Sequence, residues 1–290
     1  MVSILFCTLQ TISKLPTSWG YSIGRYLGMI LMRVFKSRRR FCETNVRLCF
    51  PNLSEQQSGN LVRANFQELG VGIVESSWAW FRPQSFITPH LSIHGAELIT
   101  HAKKRGCGVL LIGPHNTMSD LVAMMVYQAV GRIVITYRPQ DNQKLDQLIN
   151  DRRRKFGDLT DVRNLRQIRK HLADRRIVWF SPDQDLGHRG SVFAPFFGNE
   201  ACTITTPARL SEPATVCPIF VHAYRTSFHY HLRFTEFPAA YPTKNQEDNA
   251  RALNQLIENA VEMSPTQYMW IHRRFKTRPP TDPAALYGDH

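Results

Sequence analysis

The 290-residue sequence contains no stretch of roughly 18 uncharged apolar residues, which excludes a polytopic membrane protein. Its six cysteines, Cys7, Cys42, Cys49, Cys107, Cys202 and Cys217, form no C-x-x-C pair and have no histidine at zinc-finger spacing. They read as reduced thiols that behave as small core residues in a cytosol-facing protein. Internal repeats and long linkers are also missing, so solenoid architectures are excluded. At 43% hydrophobic and 20% charged residues, neither a disordered nor a fibrous chain fits. Acid is scarce in one place: residues 1–50 hold a single acidic residue, Glu43, against eight basic ones, over half of the net charge of +13. That local excess points to an anionic partner, a membrane surface or a nucleic acid.

The first fifty residues favour the membrane. The apolar opening around Ile4, Leu5 and Phe6 is too short to span a bilayer. Residues 15–36 then show a helical period, with Trp19, Ile23, Leu27, Ile30 and Val34 on one face and Ser18, Ser22, Arg25, Arg33 and Lys36 on the other. The run Lys36-Ser37-Arg38-Arg39-Arg40 follows. An amphipathic helix beside a polybasic cluster suits a protein lying on an anionic leaflet, because apolar burial and about 1 kcal/mol per basic residue add. The competing reading is a surface helix packed on the domain with a solvated charge run. A nucleic-acid arm fits less well, since the apolar face is continuous and no RNA- or DNA-binding motif is present.

Residues 1–50 are therefore expected to form a membrane-associated helical segment and residues 51–290 a single α/β domain. Ser54 to Gln57 reads as a capping box opening a helix that ends before Pro83, and a short helix is expected over 95–105. Gly108 to Gly113, Ile133 to Tyr137 and Ile177 to Phe180 are apolar strands separated by helices, the pattern of a parallel sheet covered on both faces. Residues 216–223 and 230–237 read as further strands, and 249–263 as a late helix.

In an open α/β sheet, ligands bind beyond the carboxyl ends of the parallel strands. Here those ends carry His115, Arg138, Asp183 and Asp185, which places a histidine, an arginine and carboxylates on one edge. With Thr117 as a helix cap, Asp120 falls in the first turn, where it could reach back to His115 and prepare it as a general base. Alternatively, Asp120 only completes the cap. Asp183-Gln184-Asp185 reads as a D-x-D metal site of the glycosyltransferase kind with His188 nearby, as carboxylates that orient an arginine or the substrate, or as an Asx turn. His229 and His231 share a strand face without a third ligand. The runs Arg152 to Lys155 and Trp270 to Arg278 are solvated faces or phosphate-binding surfaces.

Taken in order, several motifs form a recognisable set: His115-x-x-x-x-Asp120 after Gly113-Pro114, Tyr137-Arg138-Pro139 with Asn142, Pro182-Asp183-Gln184-Asp185-x-Gly187, Ser191 to Phe197, and Gln267 to Pro279. Together with Asn45-Val46-x-Leu48-x-Phe50-Pro51, this closely resembles the late acyltransferases of lipid A biosynthesis, lauroyl or myristoyl transferases of the lysophospholipid acyltransferase superfamily. Many members carry Glu where this chain has Asp120. The resemblance implies a mixed, mostly parallel sheet of glycerol-3-phosphate-acyltransferase type, on the cytoplasmic face of the bacterial inner membrane. It implies transfer of a fatty acyl chain from acyl carrier protein to a hydroxyl of a Kdo-bearing lipid A precursor. The carrier thioester is the co-substrate, inner-membrane lipids are partners, and no metal, further cofactor or nucleic acid is involved. His115 and Asp120 would be catalytic. Arg138, Asn142, Arg152, Arg154, Asp183 and Asp185 would bind substrate, stabilise an oxyanion or order the site.

Overall fold

The computed structural model describes residues 2–288. Four helices come first: α1 (Val2–Ser13), α2 (Thr17–Val34), α3 (Lys36–Cys49) and α4 (Glu55–Phe81). The Ser54 capping box is formed, with the Ser54 hydroxyl accepting from the Gln57 N–H and the Gln57 side chain accepting from the Ser54 N–H. After α4 the chain alternates: β1 (Leu91–His94), α5 (Glu97–Lys104), β2 (Gly108–Ile112), α6 (Ser119–Val130), β3 (Ile133–Tyr137), α7 (Gln143–Arg153), β4 (Gly157–Asp161), α8 (Leu165–Ala173) and β5 (Ile177–Phe180). An antiparallel hairpin of β6 (Ser191–Phe196) and β7 (Asn199–Ile204) precedes α9 (Thr206–Ser211), β8 (Val216–Thr226), β9 (His229–Glu236) and α10 (Gln246–Met263).

Seven strands form one mixed, mostly parallel sheet in the order β1-β9-β8-β2-β5-β3-β4. From β8 to β4 all neighbours are parallel, while β9 runs antiparallel to β8 and carries β1 with it. In β2 the alternation of side chains divides the core in two. Leu110 and Ile112 face a cluster with α3, α4, α10 and the C-terminal tail, whereas Val109 and Leu111 face one with α5 and α6. Covering both faces explains why β2 has no polar residue and is buried throughout. The sequence pattern misses β1, β4 and the β6–β7 hairpin. β1 and β4 lie at the sheet edges, where only one side is paired, and Gly157-Asp158-Leu159-Thr160-Asp161 lacks an apolar run.

The expected 15–36 helix is α2, but the face it packs inward is not the apolar one. Gly20, Tyr21, Gly24 and Gly28 are the buried residues, set against α4. The approach is so close that a Cβ on Gly28 would lie 2.0 Å from the Phe66 carbonyl oxygen, and one on Gly70 2.0 Å from that of Gly24. Small residues let the two backbones touch, and the Trp19-Ile30-Val34 face is left uncovered, with Trp19 63% and Val34 65% exposed. The polybasic run is not a tail following this helix; it is the first turns of α3. That helix buries Phe41, Cys42, Asn45, Val46 and Cys49 against the domain. Among the described residues no helix is long and apolar enough to cross a membrane.

Candidate functional site

The register of two adjacent parallel strands builds the centre of the site. Ile112 of β2 pairs with Phe180 of β5, and each strand runs on for three residues, to His115 in one case and Asp183 in the other. The two side chains therefore emerge side by side. Asp183 Oδ1 lies 2.6 Å from His115 Nδ1, and Asp183 Oδ2 accepts the His115 backbone N–H at 2.9 Å. An ionised carboxylate can only accept, so Nδ1 carries the proton and Nε2 presents a lone pair. Burial disfavours the charged imidazole, but the adjacent Asp183 outweighs this and holds His115 above its usual value. Burial likewise works to raise Asp183, and His115 more than offsets it, keeping this carboxyl below its usual range.

The carboxylate serving His115 is thus Asp183, and the expected contact from Asp120 is not made. Asp120 does sit in the first turn of α6, preceded by Met118 rather than a Thr117 cap. It turns away to bind Arg153, the last residue of α7, whose Nε donates to Oδ1 at 2.6 Å and Nη2 to Oδ2 at 3.3 Å. A two-bond fork to guanidinium is a better fit for this carboxylate than the imidazole already held by Asp183. The pair ties α6 to α7 across the mouth of the site.

His115, Asp120 and Arg153 all line a cleft of about 400 Å³. Arg138, following β3, lines it from an exposed position, as expected. Its apolar surface comes from Val122, Ala123, Ile133, Ile135 and Ile204. In the Arg152 to Lys155 run it is Arg153 that reaches the cleft. Arg152 lies over the Phe81 ring at 4.8 Å, and Arg154 pairs with Asp151 on the surface at 2.7 Å, so neither meets the expectation of a place in the site. Asn142 is the N-cap of α7, accepting the Leu145 N–H at 3.0 Å, and does not line the cleft. The helical period of α7 is the signal that could have separated Arg153 from its neighbours.

Asp185 has a different task from Asp183. Its carboxylate accepts the Thr277 N–H at 2.6 Å, the Thr277 hydroxyl at 2.8 Å and the Gly187 N–H at 2.9 Å, fixing the tail to the β5 loop. The two carboxylates of the Asp-x-Asp sequence therefore serve separate partners, and among the described residues no three His, Cys, Asp or Glu side chains gather as a ligand set. His229 and His231 are likewise engaged locally, with Ser92 at 2.8 Å and Thr226 at 2.9 Å.

The tail supplies the residues that the strand pattern does not reveal. Asn45 of α3 donates to the Trp270 and His272 carbonyls, both at 2.6 Å, and Asn65 of α4 to those of Thr266 and Tyr268, both at 2.7 Å. So clamped, the tail bonds back to the His115 loop, with Thr117 N–H donating to the Gln267 carbonyl at 2.9 Å. His272 stands 6.0 Å from His115, ring centre to ring centre, and Gln184 lies between them, its amide nitrogen 3.4 Å from His115 Nε2 and 3.0 Å from His272 Nε2. Burial and the neighbouring His115 push His272 down to about 4, so it is neutral near pH 7.

A family model described as bacterial lipid A biosynthesis acyltransferase matches residues 1–277, nearly the whole chain. The chain belongs to this family. Among curated relatives, the lipid A biosynthesis lauroyltransferase of Escherichia coli K12 is 34% identical over 276 residues, covering 93% of this chain and 90% of the relative. The palmitoleoyltransferase of the same strain is 34% identical over 262 residues (89% and 85%), and the myristoyltransferase 28% over 265 (89% and 80%). In this lipid A biosynthesis acyltransferase family member, the matched region takes in the His115–Asp183 pair, the Asp120–Arg153 pair and the tail as far as Thr277.

Proposed function

We propose that this chain moves a fatty acyl group from the thioester of acyl carrier protein to a hydroxyl of a Kdo-bearing lipid A precursor, at the cytoplasmic face of the inner membrane. The observation that carries the reading is a cleft-lining histidine whose Nδ1 is held by a buried carboxylate beside an apolar recess. His115 Nε2 takes the proton of the acceptor hydroxyl as its oxygen bonds to the thioester carbonyl carbon. Charge developing on the carbonyl oxygen is met by Arg138 or by backbone N–H groups. When the intermediate collapses, the C–S bond breaks and the carrier thiolate takes the proton back from the imidazolium, leaving an ester and a free thiol. Asp183 stabilises the imidazolium between these steps. Asp120 and Arg153 are positioning residues that hold α6 and α7 at the cleft. The apolar wall accommodates the acyl chain, and the process needs no metal.

The membrane half of the reading rests on the exposed apolar side chains Ile4, Trp19, Tyr26, Ile30, Val34 and Phe35, next to Arg33 and the basic first turns of α3. Incubating the protein with acyl carrier protein thioesters and the Kdo-bearing precursor tests the reaction by mass spectrometry. The product gains one acyl group with the native chain, and forms about 10²–10⁴-fold more slowly with His115→Ala. If native protein leaves the precursor unchanged while acylating some other acceptor, the substrate assignment is wrong.

A further inference from the structure

Beside the cleft, and sharing Gln184 and His272 with it, lies a more open pocket of about 330 Å³. Arg38 and Phe41 of α3 form one side, Arg273 and Lys276 of the tail another, and Asp185 completes it. The two guanidinium groups flank a single ring, Arg38 at 5.7 Å and Arg273 at 4.6 Å from the Phe41 centroid. Among the described residues, Arg38, Arg273 and Lys276 make no ion pair. Asp185 is the pocket's one carboxylate, and its oxygens are already taken by Thr277 and Gly187. Three cations against one engaged carboxylate leave the pocket strongly positive, and it is next to the base that the reaction uses.

We propose that this pocket binds a phosphomonoester of the acceptor lipid while the acceptor hydroxyl lies at His115. The assignment rests on the acyl-transfer reading above and adds a subsite to it. Its logic is a division of labour across the His115–His272 pair. The apolar cleft on one side suits the acyl chain, so the basic pocket on the other side is left for a polar headgroup. Arg38 lies on the helix that follows the uncovered apolar face of α2, so a lipid entering from the leaflet brings its headgroup to this pocket. Guanidinium and ammonium groups at such a site recognise phosphate oxygens through charge-assisted hydrogen bonds.

The test is steady-state kinetics of Arg38→Ala, Arg273→Ala and Lys276→Ala with separately varied donor and acceptor. Each variant should raise the acceptor KM roughly tenfold or more, as loss of one charged hydrogen bond does. The donor KM should stay as it was. An acceptor stripped of phosphate should show no difference between native and variant protein, and Arg273→Lys should recover most of the loss. A rise confined to the donor KM would assign the pocket to the carrier's phosphopantetheine and overturn the proposal, as would unchanged kinetics in all variants. A second arm does not depend on activity: calorimetric titration with glucosamine 1-phosphate should show saturable binding to native protein, abolished in an R273E/K276E variant with an unchanged melting temperature. If native protein transfers no acyl group but binds the sugar phosphate in this way, the functional reading fails and the pocket stands. If native protein does not bind the sugar phosphate, the pocket assignment fails.

Discussion

Two polar clusters in this molecule, each built on a buried carboxylate, serve opposite ends. At the carboxyl edge of the sheet, Asp183 holds His115 and leaves Nε2 at a cleft. Near β9, the Arg225 guanidinium donates to Glu75 at 2.8 Å, to Glu68, and to the Ser227 carbonyl at 3.2 Å, while Tyr230 donates to Glu75 at 2.9 Å and lies 2.7 Å from the Tyr21 hydroxyl. This second cluster joins α2, α4, β8 and β9; each Arg225 guanidinium nitrogen donates to a group of the protein, and Glu75 Oε2 is buried without a hydrogen-bond partner. Burial pushes the Glu75 carboxyl up, which suits a group that never meets solvent. The difference is where the remaining hydrogen-bonding capacity points. Where it faces a cavity the cluster can do chemistry; where it is shut inside the protein, as at Glu75, the cluster fixes the position of helices.

Substitutions can break this comparison. The largest effect is expected from His115→Ala, which should lower the rate of acyl transfer per folded molecule about 10²–10⁴-fold; it also takes the Nδ1 donor from the buried Asp183 carboxylate, so the denaturation midpoint falls as well. Arg225→Ala should act on stability alone, lowering unfolding free energy by about 3–5 kcal/mol in chemical denaturation, because it strands the buried Glu75 carboxylate and the partly buried Glu68 one. Activity per folded molecule should survive; an inactive but fully stable Arg225→Ala protein would erase the distinction. Gly28→Ala drives a methyl group into the Phe66 carbonyl, and overpacking of this kind costs about 1–3 kcal/mol, again visible as a lower midpoint. The smallest effect is expected from Asn142→Ala, about 1 kcal/mol from the lost cap with both KM values unaltered. A changed KM there would return Asn142 to the substrate.

Much of the site was legible in the sequence because it depends on strand order. Three apolar runs read as parallel strands, and their carboxyl ends bring His115, Arg138 and Asp183 to one edge, where the structure has them. Partner choice was less legible. His115 and Asp120 are near in sequence, and a local contact is the natural inference, but β5 brings Asp183 into register from 68 residues away and α7 brings Arg153 to Asp120 from 33. The α2 helix shows a different limit. Hydropathy marks its apolar stripe correctly as a face, yet backbone contact through Gly24, Gly28 and Gly70 decides which side is buried. His272 was visible only as part of a basic, aromatic tail, since its place depends on Asn45 and Asn65 clamping that tail.

If Asp183, and not Asp120, prepares His115, the pH dependence of kcat/KM will report it. A general base works when neutral, so activity should rise with pH through a pKa that Asp183 holds above the ordinary histidine value, and fall away below it. In Asp183→Asn the raising influence is gone while burial and Arg153 still oppose the charged ring, so the acid limb should move to lower pH with a reduced plateau. Asp120→Asn, which leaves Arg153 without its carboxylate, should move that limb far less than Asp183→Asn does. A limb that moves in Asp120→Asn and stays in place in Asp183→Asn would contradict the account.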